Sequence, residues 1–245
     1  MGSGNHYSDA PAFIDMTVTV LALVSHFWDT PRSVFAMVAP HLATPHDFAA
    51  SALRMRITDR DEALGTQLGN ADKVSAPLDT VLTLELDGAA FALGMTADEL
   101  LLAALGRTVA RTMGEGVVAV DVVRDGRSAP ALVELICLGE RQLDATAMVH
   151  MAHRVLSEAP ADRPGYFGGA AADVLFNYVG TTPAHTATPP LVGHALELRA
   201  YRNGGLMEVD WWFDSHRFDR ATVQEFAEQF PFALIELTSE AAPSA

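Results

Sequence analysis

The residues able to do chemistry in this sequence are few and spread out. Of the histidines, His150 and His153 lie three apart, a spacing that sets two imidazoles on one helix face and can bind a metal. No carboxylate or cysteine close in sequence completes such a site. The preferred reading is two ordinary histidines and no metal. His26, His41, His46, His185, His194 and His216 are scattered, and each is read as structural. In "VVRDGR", Asp125 and Arg127 flank Gly126 just past an apolar run, where charged groups can meet a ligand or form a solvated turn. In "DVLFNYVGTTPAH", an apolar run delivers Asn177 and Tyr178 side by side and stops at Gly180. In "DWWFD", alternation sets Trp211 and Trp212 on opposite faces of a strand, one for the core and one for a second face or a binding surface.

The candidates for proton handling are therefore Asp125, Tyr178, His150 and His153, with Asp125 and one of the two histidines as the pair a changed chemistry would need. Those for ligand binding are Asn177, Tyr178, Arg127 and Trp212. Cys137 lies in the apolar run "ALVELICLGE", where a lone thiol is a small core residue rather than a nucleophile.

These residues need elements to hold them. "TADELLLAALGRTVARTMGEG" is the clearest helix. Thr96 caps it, Glu99 is the capping-box partner, and Leu100, Ala103, Ala104 and Val109 supply an inward face before Gly114 and Gly116 stop it. "DATAMVHMAHRVLSEAP" is a helix from near Asp144, ended by Pro160, and the C-terminal "DRATVQEFAEQFPFALIELTSEA" is another. "VVAVDVVRDGR", "ALVELICLG" and "DVLFNYVG" read as strands. "ALELRAYRNGG" and "LMEVDWWFD" form an antiparallel pair turned at Asn203-Gly204-Gly205. Val81–Leu86 is expected as a further strand, with a turn at Asp87-Gly88. Upstream, Thr30-Pro31 and Thr44-Pro45 mark two short helices. A polar stretch ending at Pro77 sets a boundary between an N-terminal region, 1–76, and a larger unit, 77–245; the opening "MGSG" reads as a cloning scar. The expected class is α+β, a mixed sheet packed with helices.

The bulk composition agrees. At 245 residues, 49% hydrophobic and 19% charged, the chain can bury a substantial core. A net charge of -15 argues against nucleic acid and against an anionic membrane surface, both of which need a cationic footprint. The longest apolar stretch, Met16–Val24, is well short of a membrane span, and no basic leader precedes it. A single cysteine fits a reducing, cytoplasmic compartment.

The order of the elements carries a resemblance. "TADELLLAALGRTV", "VAVDVVRDGR", "RPGYFGG", "LFNYVG" and "LMEVDWWFD" with a terminal helix resemble the C-terminal lobe of nonribosomal peptide synthetase epimerisation and condensation domains, over about residues 78–238. "DELLLAALG" is similar to the family's DxLLxAxG, "FNYVG" to FNYLG, and "RPGYFGG" to a degraded PxxGxGYG. The resemblance implies a chloramphenicol acetyltransferase-like half. In that fold two lobes form a V, and substrates borne on carrier-protein phosphopantetheine enter a tunnel between them; no other cofactor is implied. The departures are specific. No HHxxxDG occurs in the chain, and "VVRDGR" laid on the family's EGHGR puts Val123 at the glutamate and Asp125 at the histidine, keeping Gly126 and Arg127. Valine cannot move a proton, so two-base epimerisation is not supported.

Two functions follow. The first is an accessory, docking or partner-completing subunit of nonribosomal peptide synthesis, meeting a carrier protein or synthetase module, with a dimer or hetero-partner covering the half-fold. The alternative is a stand-alone enzyme of changed chemistry acting on a small peptide-pathway intermediate. An unrelated α/β domain that echoes the motifs is the third possibility.

Overall fold

The computed structural model describes residues 53–60, 71–124, 130–159, 172–181 and 193–243, all within one compact unit, Ala43–Ala245. In chain order its elements are β1 (Ala71–Ser75), α1 (Thr80–Leu93), α2 (Ala97–Thr112), β2 (Gly116–Arg124), β3 (Ala131–Cys137), α3 (Ala145–Glu158), β4 (Val174–Gly180), β5 (Leu196–Asn203), β6 (Leu206–Asp214) and α4 (Arg220–Glu240). The strands form a mixed sheet in the order β1-β6-β5-β4-β2-β3. The pairs β2/β4 and β4/β5 are parallel; β1/β6, β5/β6 and β2/β3 are antiparallel. β1 lies N-terminal to the boundary expected near Pro77, and it is hydrogen-bonded to β6 as an edge strand.

Most of the expected elements form for the reasons their sequences suggest. In the capping box of α2 the Thr96 N–H donates to Glu99 Oε2 at 2.9 Å. α3 is capped by Asp144, whose side chain accepts from the Ala147 N–H at 2.8 Å. The β5–β6 hairpin turns through Gly204 and Gly205, both at positive φ (59° and 90°), as a two-residue hairpin turn requires. Gly116, expected to help stop α2, instead begins β2; Gly114, at φ 105°, makes the exit. Thr30-Pro31 and Thr44-Pro45 lie outside the described residues.

One expected element is overturned. Val81–Leu86 is not a strand but the front half of α1, and Asp87-Gly88 is not a turn but lies inside that helix. The apparent alternation is short, whereas Leu82 and Leu86 are buried four residues apart, a helical repeat. Asp79 caps the first turn through Leu82 N–H at 2.8 Å, and Gly94, at φ 66°, ends the helix.

The helices cover one face of the sheet, and α2 lies at the centre of that layer, against α1, α3, α4 and β3. Its burial goes beyond one inward face, since Leu100–Ala104 are all fully buried. Such close packing explains the glycine in "DELLLAALG". A Cβ on Gly106 would stand 2.5 Å from Met148 Cε and 3.0 Å from the Ile136 carbonyl oxygen. Met148 can swing away, but the β3 backbone cannot. Gly106→Ala is expected to destabilise by about 1–3 kcal/mol in urea unfolding, through overpacking. Cys137 is a buried core residue whose thiol burial pushes well above its usual range, so it is inert as a nucleophile.

Candidate functional site

Alternation along the strands sorts every side chain to the helical layer or to the opposite face. Trp211 is fully buried in the helical layer, stacked on Phe226 with ring centroids 5.8 Å apart and edge-on to Phe230 at 5.6 Å. Trp212 lies on the opposite face, as expected of adjacent strand residues. It forms part of a polar cluster there.

That cluster is built from four strands. Cross-strand register sets Glu197 beside Trp212, Arg199 beside Asp210, and Asn177 beside Arg199. Asn177 Nδ2 donates to Glu197 Oε1 at 2.9 Å, and Arg199 Nε donates to the same oxygen at 2.7 Å. Lys73 from β1 and Arg199 from β5 both lie over the Trp212 ring, at 5.3 and 5.6 Å from its centroid. Asp210 receives the Ser75 hydroxyl at 2.6 Å, the Tyr201 hydroxyl at 3.2 Å and Lys73 Nζ at 3.2 Å. Burial and the adjacent Asp210 carboxylate push the Tyr201 phenol up to about 12. Glu197, Arg199 and Asp210 are buried, yet Glu197 Oε2 and the Trp212 indole N–H have no protein partner. A buried carboxylate oxygen and a buried donor left open on neighbouring strands mark a face arranged for polar contact, not simple packing.

The same face continues onto β2. Asp121, fully buried, accepts from His194 Nε2 at 2.9 Å and from the Ala172 N–H at 3.3 Å. Val123, two residues along, lies on this face next to Asn177. Close by, a cavity of about 350 Å³ is lined by Arg54, Arg56, Glu134, Ala172, Asp173 and Gly193, among others. Asp173 accepts from Arg56 Nε at 3.2 Å and from Arg217. Burial alone would raise its carboxyl, but the Arg217 and Arg56 guanidinium groups outweigh that and hold it below the usual range. A depressed carboxyl contributes stability that is present above its unfolded pKa and lost as pH falls through the folded value. Asp173→Asn is therefore expected to flatten the acid limb of a stability–pH curve measured by urea midpoints.

The candidates from sequence are thus separated. Asn177 and Trp212 belong to the polar face. Tyr178 has the opposite parity, pairing with Arg124 and Ala200, and packs against the core on the helical side. His150 and His153 are on α3 in that same helical layer, where His153 Nδ1 lies 3.0 Å from Glu99 Oε1. Asp125 and Arg127 lie outside the described residues. Among the described residues no group of three metal-ligating side chains is found. The sequence reading missed His194, Asp121, Glu197, Arg199 and Asp210. A signal was present: "LELRAYR" alternates Glu197, Arg199 and Tyr201 with Leu196, Leu198 and Ala200, and Asp121 is a lone acid in "VVAVDVV".

This architecture is similar to solved condensation and epimerisation domains. The structure matches the epimerization domain from the third module of tyrocidine synthetase B at a TM-score of 0.60 and 16% identity, over 80% of this chain and 55% of that one. It matches a nonribosomal peptide synthetase cyclization-docking bidomain from Sorangium cellulosum at 0.58 and 13% identity, over 80% of this chain and 47% of that one. For the structure describing condensation domain-mediated chain release from the enacyloxin polyketide synthase, the values are 0.53 and 18%, over 75% of this chain and 44% of that one. The chain thus has the condensation-domain fold, and it spans about half of such a domain.

In sequence it is 33% identical over 216 residues to a component of the phenolphthiocerol/phthiocerol polyketide synthase of Mycobacterium tuberculosis, over 69% of this chain. The Mycobacterium bovis protein of the same name gives the same values. The chain spans 14% of the length of these relatives. No protein-family model matches it. Together these comparisons show a condensation-domain-like fold and a sequence similarity to one part of a polyketide synthase subunit.

Proposed function

We propose that the chain is a partner-completing component of a synthetase: half of a condensation-type domain that meets a carrier-bearing module, with its buried polar sheet face on the side of the complementary half. The observation that carries this is the composition of that face. A six-stranded sheet with helices on one side would ordinarily turn either an apolar face to a second layer or an exposed polar face to water. Here the opposite face holds buried Glu197, Arg199 and Asp210, linked through Asn177, Lys73 and Tyr201, and buried Asp121, which accepts from His194. Such a surface suits a polar substrate channel between two lobes. Val123 beside Asn177 supports the further reading that the chain does not carry the family's epimerase chemistry at that position.

Val81, Leu84 and Phe91 form an exposed apolar stripe on α1, with Phe91 90% exposed, which supports docking to a partner, either a second copy or another synthetase chain. The experiment is calorimetric titration of the purified chain with a purified carrier-bearing synthetase module, followed by light scattering. A saturable complex of fixed stoichiometry is expected. A chain that stays unbound at concentrations well above micromolar would sink the proposal. The alternative, an enzyme of changed chemistry, is favoured by one observation, the His194–Asp121 pair.

A further inference from the structure

We infer that His194 is the proton-accepting group of this lobe and that Asp121 positions it. The step rests on the synthetase reading above, because that reading supplies the substrate class, an acyl thioester. The geometry stands on its own. His194 Nε2 lies 2.9 Å from Asp121 Oδ2, and the two side chains are 10% and 1% exposed. A carboxylate accepts and does not donate, so Nε2 carries the hydrogen and the neutral ring presents a lone pair at Nδ1. Nδ1 makes no hydrogen bond to the protein, although it is buried. A histidine whose sole task was to satisfy Asp121 would have no reason to keep its second nitrogen buried and open.

The immediate neighbours of the pair, though not His194 or Asp121 themselves, line a cavity. Ala172, which donates to Asp121, and Gly193, which precedes His194, both line the cavity of about 350 Å³. Asp121 lies on the sheet face of Asn177 and Glu197, one pleat from Val123. The carboxylate missing at position 123 is thus present two residues away on the same face, already holding an imidazole.

In the step this arrangement allows, Nδ1 takes the proton of an attacking hydroxyl, amine or water as its oxygen or nitrogen bonds to the thioester carbonyl carbon. The C–S bond then breaks, and the leaving thiolate takes the proton back from Nδ1. His194 ends neutral, and acyl product and free thiol balance the reactants. Asp121 keeps the Nε2–H and stabilises the imidazolium between the two transfers, without itself taking the proton.

The test uses S-acetyl-N-acetylcysteamine with water as nucleophile, following thiol release. The wild-type chain should exceed buffer. His194→Gln should lower kcat by about a hundredfold, the range for loss of a general base, with KM within about threefold. Imidazole should restore turnover to His194→Gly, and Asp121→Asn should lower kcat by about tenfold. A rate in wild type equal to buffer, an unchanged His194→Gln, or no rescue by imidazole each overturns the assignment. If the variants fail to fold, nitrogen NMR of the unaltered protein decides: the Nε2–H tautomer is expected at His194, and the Nδ1–H tautomer overturns it. A complex with the carrier module without His194-dependent turnover removes the proton role alone. Turnover without a complex removes the partner reading instead.

Discussion

Replacing Arg107 by methionine is expected to destabilise the fold by about 3–5 kcal/mol at neutral pH, the range for removing one partner of a buried ion pair. Arg107 is fully buried at the centre of α2. Its guanidinium donates to the carbonyls of Leu138 and Leu143, the latter at 2.7 Å, and lies 3.0 Å from Glu236 Oε1 of α4. One side chain thus ties the helical layer to the loop that links β3 and α3. Methionine would fill the space but leave two carbonyls without donors and Glu236 with Arg111 as its remaining partner, at 2.6 Å. Burial already lowers the Arg107 pKa and raises that of Glu236, so both partners resist being charged there. An acid whose folded pKa is raised binds its proton more tightly in the folded state. Its contribution is therefore most favourable below the unfolded pKa and is lost as pH rises through the folded one. The methionine variant's deficit should shrink as pH is lowered and Glu236 takes up a proton. Urea midpoints at neutral and mildly acidic pH check both the size and the trend, and an equal deficit at both would refute the pairing account. Adding Glu236→Leu to the variant should recover part of the loss, since an apolar pair removes the uncompensated charge.

Trp211→Ala is expected to cost about 3–5 kcal/mol, as for other large aromatics emptied from a core. The indole is fully buried, stacked on Phe226 and edge-on to Phe230, and Phe226 in turn meets Phe218 edge-on at 6.3 Å. These rings fasten α4 to β6, so their loss should be felt along the whole terminal helix. Trp212→Ala offers the contrast. It removes the surface over which Lys73 and Arg199 lie, and its main effect should fall on the polar face and on ligand or partner binding. Urea unfolding of the two variants side by side distinguishes them, with the larger loss at Trp211. Equal losses would contradict the division of the sheet into a core face and a polar face.

Much of this architecture was legible in the chain. Thr96 and Glu99 mark the start of α2 because a capping box needs residues only three apart. Gly204 and Gly205 mark the hairpin because a tight turn needs positive φ at adjacent positions. Trp211 and Trp212 part company because successive strand side chains point to opposite faces. The same rule, applied to "FNYVG", already implies that Asn177 and Tyr178 cannot share a face, and the structure divides them so. Where local patterns competed, the reading failed: Val81–Leu86 alternates for a few residues, but Asp79, Leu82 and Leu86 make a capped, buried helix of it.

The sequence by itself determined most of the elements, the mixed α+β class and the absence of a carboxylate at Val123, because capping, alternation and turn chemistry act over a handful of neighbours. Only the tertiary structure decided which chemistry-bearing residues meet. Asp121 and His194 are 73 positions apart and come within 2.9 Å because β4 lies between β2 and β5 in parallel register. That register also brings Asn177 and Glu197 to the face on which Asp121 lies. Strand pairing over such separations depends on the packing of the whole sheet against α2 and α4, and no local pattern around His194 encodes it.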